Sequence, residues 1–320
     1  MKRFCLRVAL FFVCAGLVVS ASSRLPNPSL LEQNLLGALP EKMKTIGNLS
    51  SPKILLVGGS NVSFGMDTER LSKHFGRPAF NTSMHAGLGL KFMMLSCLPS
   101  VGNGDVVVVI PEYSQFQGGY GGAQELVAAL CDVYPEGRAT LSSRQAIRLL
   151  PEFISYSALK LCQRLRLVHK PTTARIYARD SFNQYGDAVA HWELEPTAIA
   201  ESPPVGPRPQ LDAEAIEGLL EFRDEVESRG AQLIMLPPCF MASSYENQRH
   251  LVEAVDSALA ENGIAFDAPC QRYRFERKYF FNTPYHLNKE GVDLRTELVI
   301  ENLAMVTERS PKPKVGPTGS

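Results

Sequence analysis

The chain predicts an α/β fold, a parallel sheet with helices on both faces and a largely helical, partly irregular insertion, and three observations predict it. The run Val106-Val107-Val108-Val109-Ile110 carries no polar residue on either side, the pattern of a strand covered on both faces. An apolar strand at 54–57 and further strands at 79–82, 232–236 and 264–267 alternate with helical patterns at 67–75, 90–98, 212–228, 244–261 and 288–306. Strands that alternate with helices are joined by crossovers, and crossovers make the strands parallel.

The first strand follows Lys53 and stops at Gly58-Gly59-Ser60-Asn61. Two glycines let the backbone turn sharply there and lift a hydroxyl onto the carboxyl edge of the sheet, where open α/β sheets hold ligands. Asp67 supplies the N-cap for the helix at 67–75, which leaves Ser60 free of that duty. A capping serine or a phosphate loop are the plainer readings, and the phosphate loop lacks both common glycine fingerprints and their lysine. The second strand runs through Asn81-Thr82-Ser83-Met84-His85-Ala86-Gly87 into the helix at 90–98. Gly87 gives a substrate carbonyl close access to backbone N–H groups, as an oxyanion hole requires. His85 is a loop histidine, for which a surface role is commoner than catalysis. The third strand, 106–110, brings Glu112 to the same edge, to bind a hydroxyl, to orient a side chain, or to start a helix in water.

Residues 124–169 read as helical, with Arg144, Arg148, Arg164 and Arg166 set among Leu, Ile and Tyr. Those arginines form the solvated side of amphipathic helices or, alternatively, a groove for an acidic polymer. Residues 170–210 hold many Pro, Gly and Ser and the single tryptophan, Trp192. A stretch this long without regular structure is either a lid over a site or disordered. The organisation expected is therefore an N-terminal segment at 1–23, a linker with a short helix at 24–51, one sheet domain at 52–309 with an insertion at about 120–210, and a disordered tail at 310–320.

With 320 residues and 45% apolar content the chain can bury a sizeable core. Lys plus Arg and Asp plus Glu both number 33, so no net field draws the protein toward nucleic acid, which is not an expected partner. Met1-Lys2-Arg3-Phe4-Cys5-Leu6-Arg7 is basic, residues 8–20 are uncharged and mostly apolar, and Ser20-Ala21-Ser22-Ser23 follows. That order is an export signal or an uncleaved membrane anchor, and it places the protein outside the cytoplasm. Beyond that segment Cys97, Cys131, Cys162, Cys239 and Cys270 show no CxxC and no nearby histidine pairs. They predict buried free thiols or at most one bridge, and neither a zinc site nor a disulfide scaffold. No metal or other cofactor is expected.

Far downstream, Asn282-Thr283-Pro284-Tyr285-His286-Leu287-Asn288 precedes the last helix. A serine is a weak nucleophile until a base takes its proton, so Ser60 and His286 are the pair to bring together. Gly58-Gly59-Ser60-Asn61 and Tyr285-His286-Leu287-Asn288-Lys289-Glu290-Gly291 resemble blocks of the SGNH (GDSL-like) hydrolase superfamily, in particular its exported branch that accompanies O-acylation of surface polysaccharides. The resemblance covers roughly residues 52–116 and 231–305. It implies a three-layer flavodoxin-like sheet, Ser60 as nucleophile, His286 as base, and Gly87 with Asn61 and Glu112 at the oxyanion and substrate side. It further implies an acyl-ester or surface-glycan substrate and a membrane-bound O-acyltransferase as partner. Two departures stand out. The acid expected three residues before the histidine is Thr283, with Asn282 one further back, and Pro111-Glu112-Tyr113 replaces the third block. A dyad oriented by Asn282, an acid recruited from elsewhere such as Asp267 or Glu112, and an inactive scaffold that binds a glycan or an acyltransferase all follow as alternatives.

Overall fold

The computed structural model describes residues 1–25, 27–168 and 174–309. The tail expected at 310–320 and the loop at 169–173 lie outside the described residues. Four strands, β1 (Ile54–Gly58), β2 (Ala79–Asn81), β3 (Val106–Ile110) and β4 (Gln232–Met235), form one parallel sheet in the order β2-β1-β3-β4. The register pairs Ile54 with Val106 and Val106 with Gln232, so the central strands start level. Successive side chains of a strand point to opposite faces. Leu55, Val57, Val107 and Val109 accordingly enter one core, and Ile54, Leu56, Val106, Val108 and Ile110 enter the other.

The α-helices are, in chain order, α1 (Lys2–Ser23), α2 (Pro28–Gln33), α3 (Leu39–Asn48), α4 (Ser60–Ser63), α5 (Thr68–Phe75), α6 (Leu90–Cys97), α7 (Gln124–Val133), α8 (Ser143–Arg148), α9 (Leu150–Arg164), α10 (Ala213–Ser228), α11 (Ala242–Asn247), α12 (Arg249–Glu261) and α13 (Lys289–Arg309). Met43 of α3, Phe92 of α6, Phe222 of α10 and Val255 of α12 fill the first core. Leu71 of α5 and Val292, Val299 and Leu303 of α13 fill the second. The result is a three-layer flavodoxin-like α/β fold. Because β1 continues to β2 on one side while β3 and β4 extend on the other, the chain reverses direction between β1 and β3, and the crevice beyond their carboxyl ends is the switch point where such sheets hold ligands.

Three local expectations differ from the structure. Residues 24–51, expected as a linker, are packed: Leu35, Leu36, Leu39 and Ile46 are buried against the first core. The run at 264–267 does not become a strand. Asp267 N donates to Met235 O at 2.7 Å, but the Asp267 carboxylate itself takes Met235 N at 2.9 Å, so a side chain ends the ladder that a fifth strand would have continued. The helix expected at 244–261 breaks at Gln248 into α11 and α12. Asn247, the last residue of α11, holds the insertion there, its Nδ2 donating to Ser202 O at 3.0 Å and its carbonyl accepting the Val205 N–H at 2.9 Å. A short parallel pair, β5 (Phe240–Met241) with β6 (Arg274–Phe275), was not foreseen.

α1 is, by length and composition, a helix able to cross a membrane. The cysteines at 97, 131, 239 and 270 are buried free thiols, and Cys162 is free and half-buried.

Candidate active site at the switch point

Ser60 opens the short helix α4 directly after β1, and Glu112 follows β3, so the two lie on either side of the switch point. Ser60 Oγ donates to Glu112 Oε1 at 3.1 Å, and the same oxygen accepts the Asn61 backbone N–H at 3.0 Å. The turn tolerates nothing larger than glycine before the serine. A Cβ on Gly59 would come within 2.8 Å of both Glu112 Oε1 and Ala86 Cβ, so the close approach of the carboxylate requires the missing side chain. Asn61 Nδ2 donates to Ile110 O at 3.2 Å and ties α4 to the end of β3. Behind it Arg295 of α13, fully buried, donates from Nη1 to Asn61 O, while its Nε and Nη2 and Asn61 Oδ1 have no hydrogen-bond partner among the described residues.

Burial pushes the Glu112 carboxyl above its ordinary range, and the hydrogen bonds from Asn61 and Ser60 and the charge of Arg295 pull it partly back.

His286 reaches the same neighbourhood by stacking. Its ring lies on Phe64, the residue that follows α4, with centroids 4.4 Å apart and planes 13° from parallel. Asn282 Oδ1 sits 2.9 Å from His286 Nδ1, and Asn282 Nδ2 donates to Tyr177 Oη at 2.8 Å. With the amide oxygen facing the ring, Nδ1 carries the hydrogen and Nε2 keeps the free lone pair. Thr283, standing where an acid is expected, points elsewhere: its Oγ1 accepts the backbone N–H of Tyr285 at 3.2 Å and of His286 at 3.0 Å. Burial, then the nearby histidines His191 and His85, lower the His286 pKa to about 3, so the ring is neutral at physiological pH.

The insertion lies against this cluster. Tyr177 is 5.6 Å from Phe64 and 6.5 Å from His286, and His191 is 5.1 Å from Phe64 between ring centroids. His191 Nε2 faces Leu287 O at 2.8 Å, and burial lowers its pKa to about 4. Neither Tyr177 nor His191 stood out in the sequence, where nothing links a residue of an irregular stretch to a histidine about a hundred positions later.

The remaining expected residues fall as follows. Asn61 is wholly buried and its backbone N–H is held by Glu112. The Gly87 N–H is held by His85 Nδ1 at 3.0 Å, and His85 is exposed at the rim. Both N–H groups proposed for an oxyanion are thus occupied within the protein, since an N–H given to an internal acceptor is not available to a ligand. Asp267 lies beside the end of β4 and takes Met235 N, not an imidazole. Ser60 and His286 are only 8% and 6% exposed, and the Ser60 hydrogen rests on Glu112 rather than on His286. A cleft of about 420 Å³ lined by Glu41, Lys42, Arg179 and Phe182 lies apart, and it includes neither Ser60 nor His286. Among the described residues no group of three or more His, Cys, Asp and Glu side chains is clustered to hold a metal ion.

Comparison of the chain with protein-family models, with characterised proteins and with solved structures finds no match.

Proposed function

We propose that this protein is an exported, SGNH-like serine acyl esterase or O-acyltransferase that acts on a cell-surface polysaccharide through an acyl-enzyme on Ser60. One observation carries the reading: a serine on a glycine elbow at the switch point, with a histidine stacked on Phe64, the residue after that serine's helix, whose Nδ1 faces the Asn282 amide oxygen. The apolar helix α1 supports the extracytoplasmic setting, and a membrane-bound O-acyltransferase is the partner that would deliver acyl groups there.

In this reading the Ser60 hydroxyl rotates from Glu112 toward His286 and gives its proton to Nε2 as Oγ bonds to the acyl carbon. The tetrahedral intermediate collapses, the carbon–oxygen bond to the leaving alcohol breaks, and His286 returns the proton to that alcohol. A glycan hydroxyl, or water, then attacks the acyl-serine with His286 as base, and Ser60 regains its hydrogen. Glu112 holds the elbow through Asn61 N–H. Stabilisation of the oxyanion requires the Asn61 or Gly87 N–H to be released from its internal acceptor. An amide beside the imidazole orients it without a counter-charge, so the rate expected is well below that of a full triad.

A second reading has its own support. The near-complete burial of Ser60 and His286, with the serine hydrogen on Glu112, suits a non-catalytic protein that keeps the fold to bind a glycan or to scaffold a membrane acyltransferase. Host cells expressing Ser60→Ala at parental levels separate the two. The enzyme reading expects O-acylation of the surface glycan to be lost while the protein stays at the membrane, and acylation at parental levels would replace it with the scaffold.

A further inference from the structure

The end of α1 is built into the folded body. Ser22 Oγ donates to Ser157 O of α9 at 2.8 Å, and α1 packs along α9. Immediately beyond, Lys160 of α9 donates to Leu25 O at 2.8 Å and pairs with Asp132 Oδ1 at 2.5 Å, and Asp132 Oδ2 takes Asn27 N at 2.9 Å. Lys160 and Asp132 are both buried or nearly so, and such a pair holds its geometry because either charge alone is costly. Any bilayer that holds α1 therefore meets the body beside α9.

The outward side of α8, α9 and the turn that follows carries exposed aliphatic residues. Ile147 is 67% exposed, Ile154 55% and Leu165 61%, and Leu150, Leu159 and Leu167 are exposed with them. Leu150 and Ile154 stand one turn apart on α9, Ile147 lies on α8 and Leu165 directly follows α9, whereas Leu149, Ser157 and Lys160 are buried. Water-exposed aliphatic residues grouped this way mark a surface meant for another apolar phase. The same stretch, 143–168, carries Arg144, Arg148, Arg164 and Arg166 on its exposed side and a single acid, Glu152. An apolar stripe flanked by arginines is the composition of a helix that lies in the interface of an anionic bilayer.

We propose that α8 and α9 form an interfacial membrane element, seated among anionic headgroups beside the point where α1 enters the bilayer. α1 then supplies the attachment, and the α8–α9 face fixes how the body is oriented on the membrane.

The test uses the full chain reconstituted in vesicles of phosphatidylcholine and phosphatidylglycerol with brominated acyl chains. In a Trp192→Phe background, single tryptophans are placed by Ile154→Trp or Leu165→Trp, with Leu294→Trp on α13 as the exposed control. All three sites are solvent-exposed, and thermal melts verify folding. Tryptophan at 154 and 165 should be blue-shifted and quenched by bromolipid severalfold more than at 294. Combining Arg144→Glu, Arg148→Glu and Arg166→Glu should reduce that quenching. Equal quenching at 154 and 294 overturns the proposal. A blue shift without bromolipid quenching also overturns it, because a second copy or another protein then covers the face. Quenching unaffected by the three charge reversals overturns the assignment to anionic lipid.

Discussion

Acidification should unfold this protein partly through His286, and the size of the effect follows from the site. Stacked on Phe64 and buried, the imidazole has its pKa lowered from 6.5 to about 3. A histidine whose folded pKa is depressed binds its proton more readily in the unfolded chain, so stability falls as pH drops below 6.5 and continues to fall until the folded pKa is reached. Each pH unit in that window costs about 1.4 kcal/mol, so at pH 5 His286 alone destabilises by about 2 kcal/mol relative to pH 7.5. His191, lowered to about 4 by burial, acts in the same sense. Asp187, raised to about 6 by burial, and Glu112, raised likewise, act oppositely, since a folded carboxyl that keeps its proton is stabilised by acid. The diagnostic quantity is therefore the difference between parent and His286→Gln. Urea unfolding at pH 7.5 and pH 5 should show the parent losing about 2 kcal/mol more than the variant. Equal losses, or an imidazole that titrates above pH 5 by NMR, would refute a buried, neutral His286.

Three substitutions probe neighbouring parts of the account. Asn282→Asp sets a carboxylate where an amide now lies 2.9 Å from Nδ1; it should raise the His286 pKa and speed Ser60 acylation by about tenfold or more, and an unchanged rate with an unchanged histidine titration would remove Asn282 from the orienting role. Thr283→Asp keeps an acceptor for the Tyr285 and His286 N–H groups, so esterase activity on an activated acyl ester should be kept or raised, and a large loss in the folded variant would show that Thr283 does not stand in the acid's place. Lys53→Met breaks the buried pair with Asp105, 2.7 Å apart, and strands a carboxylate that also receives Lys53 N and Gly102 N; the cost should be about 3–5 kcal/mol by urea unfolding, and a loss under 1 kcal/mol, roughly that of a surface pair, would contradict it.

The sheet was legible because its central strands are buried on both faces and so read as unbroken apolar runs, of which 106–110 agrees residue for residue with β3. The run at 264–267 is apolar only as far as Phe266 and fails as a strand, because the carboxylate of its last residue, Asp267, takes the N–H group that a neighbouring strand would have used. Propensity carries no record of such a competition. The elbow at Ser60 and the arrival of Glu112 at the same edge followed from where strands end. Their direct bond did not, since it depends on the Cβ-free approach at Gly59. Asn282 was a candidate orienter of His286 through the resemblance, as the residue next to the place of the missing acid. Its amide nitrogen is held by Tyr177, supplied by the insertion, and long-range partners of that kind leave no periodic trace. The packing of residues 24–51 was hidden for a related reason: Leu35, Leu36 and Leu39 are apolar enough for a core, but their short helices lack the length at which periodicity becomes readable.

The proposed function requires Ser60 to be a nucleophile served by His286. Incubation of the full chain with a fluorophosphonate, followed by peptide mass spectrometry, measures it most directly, since only an activated serine reacts quickly. A phosphonyl adduct on Ser60, none in Ser60→Ala, and slow labelling in His286→Gln are expected, with Ser60→Ala melting close to the parent. A folded parent protein that forms no adduct at Ser60, or one that labels equally fast without His286, would contradict it.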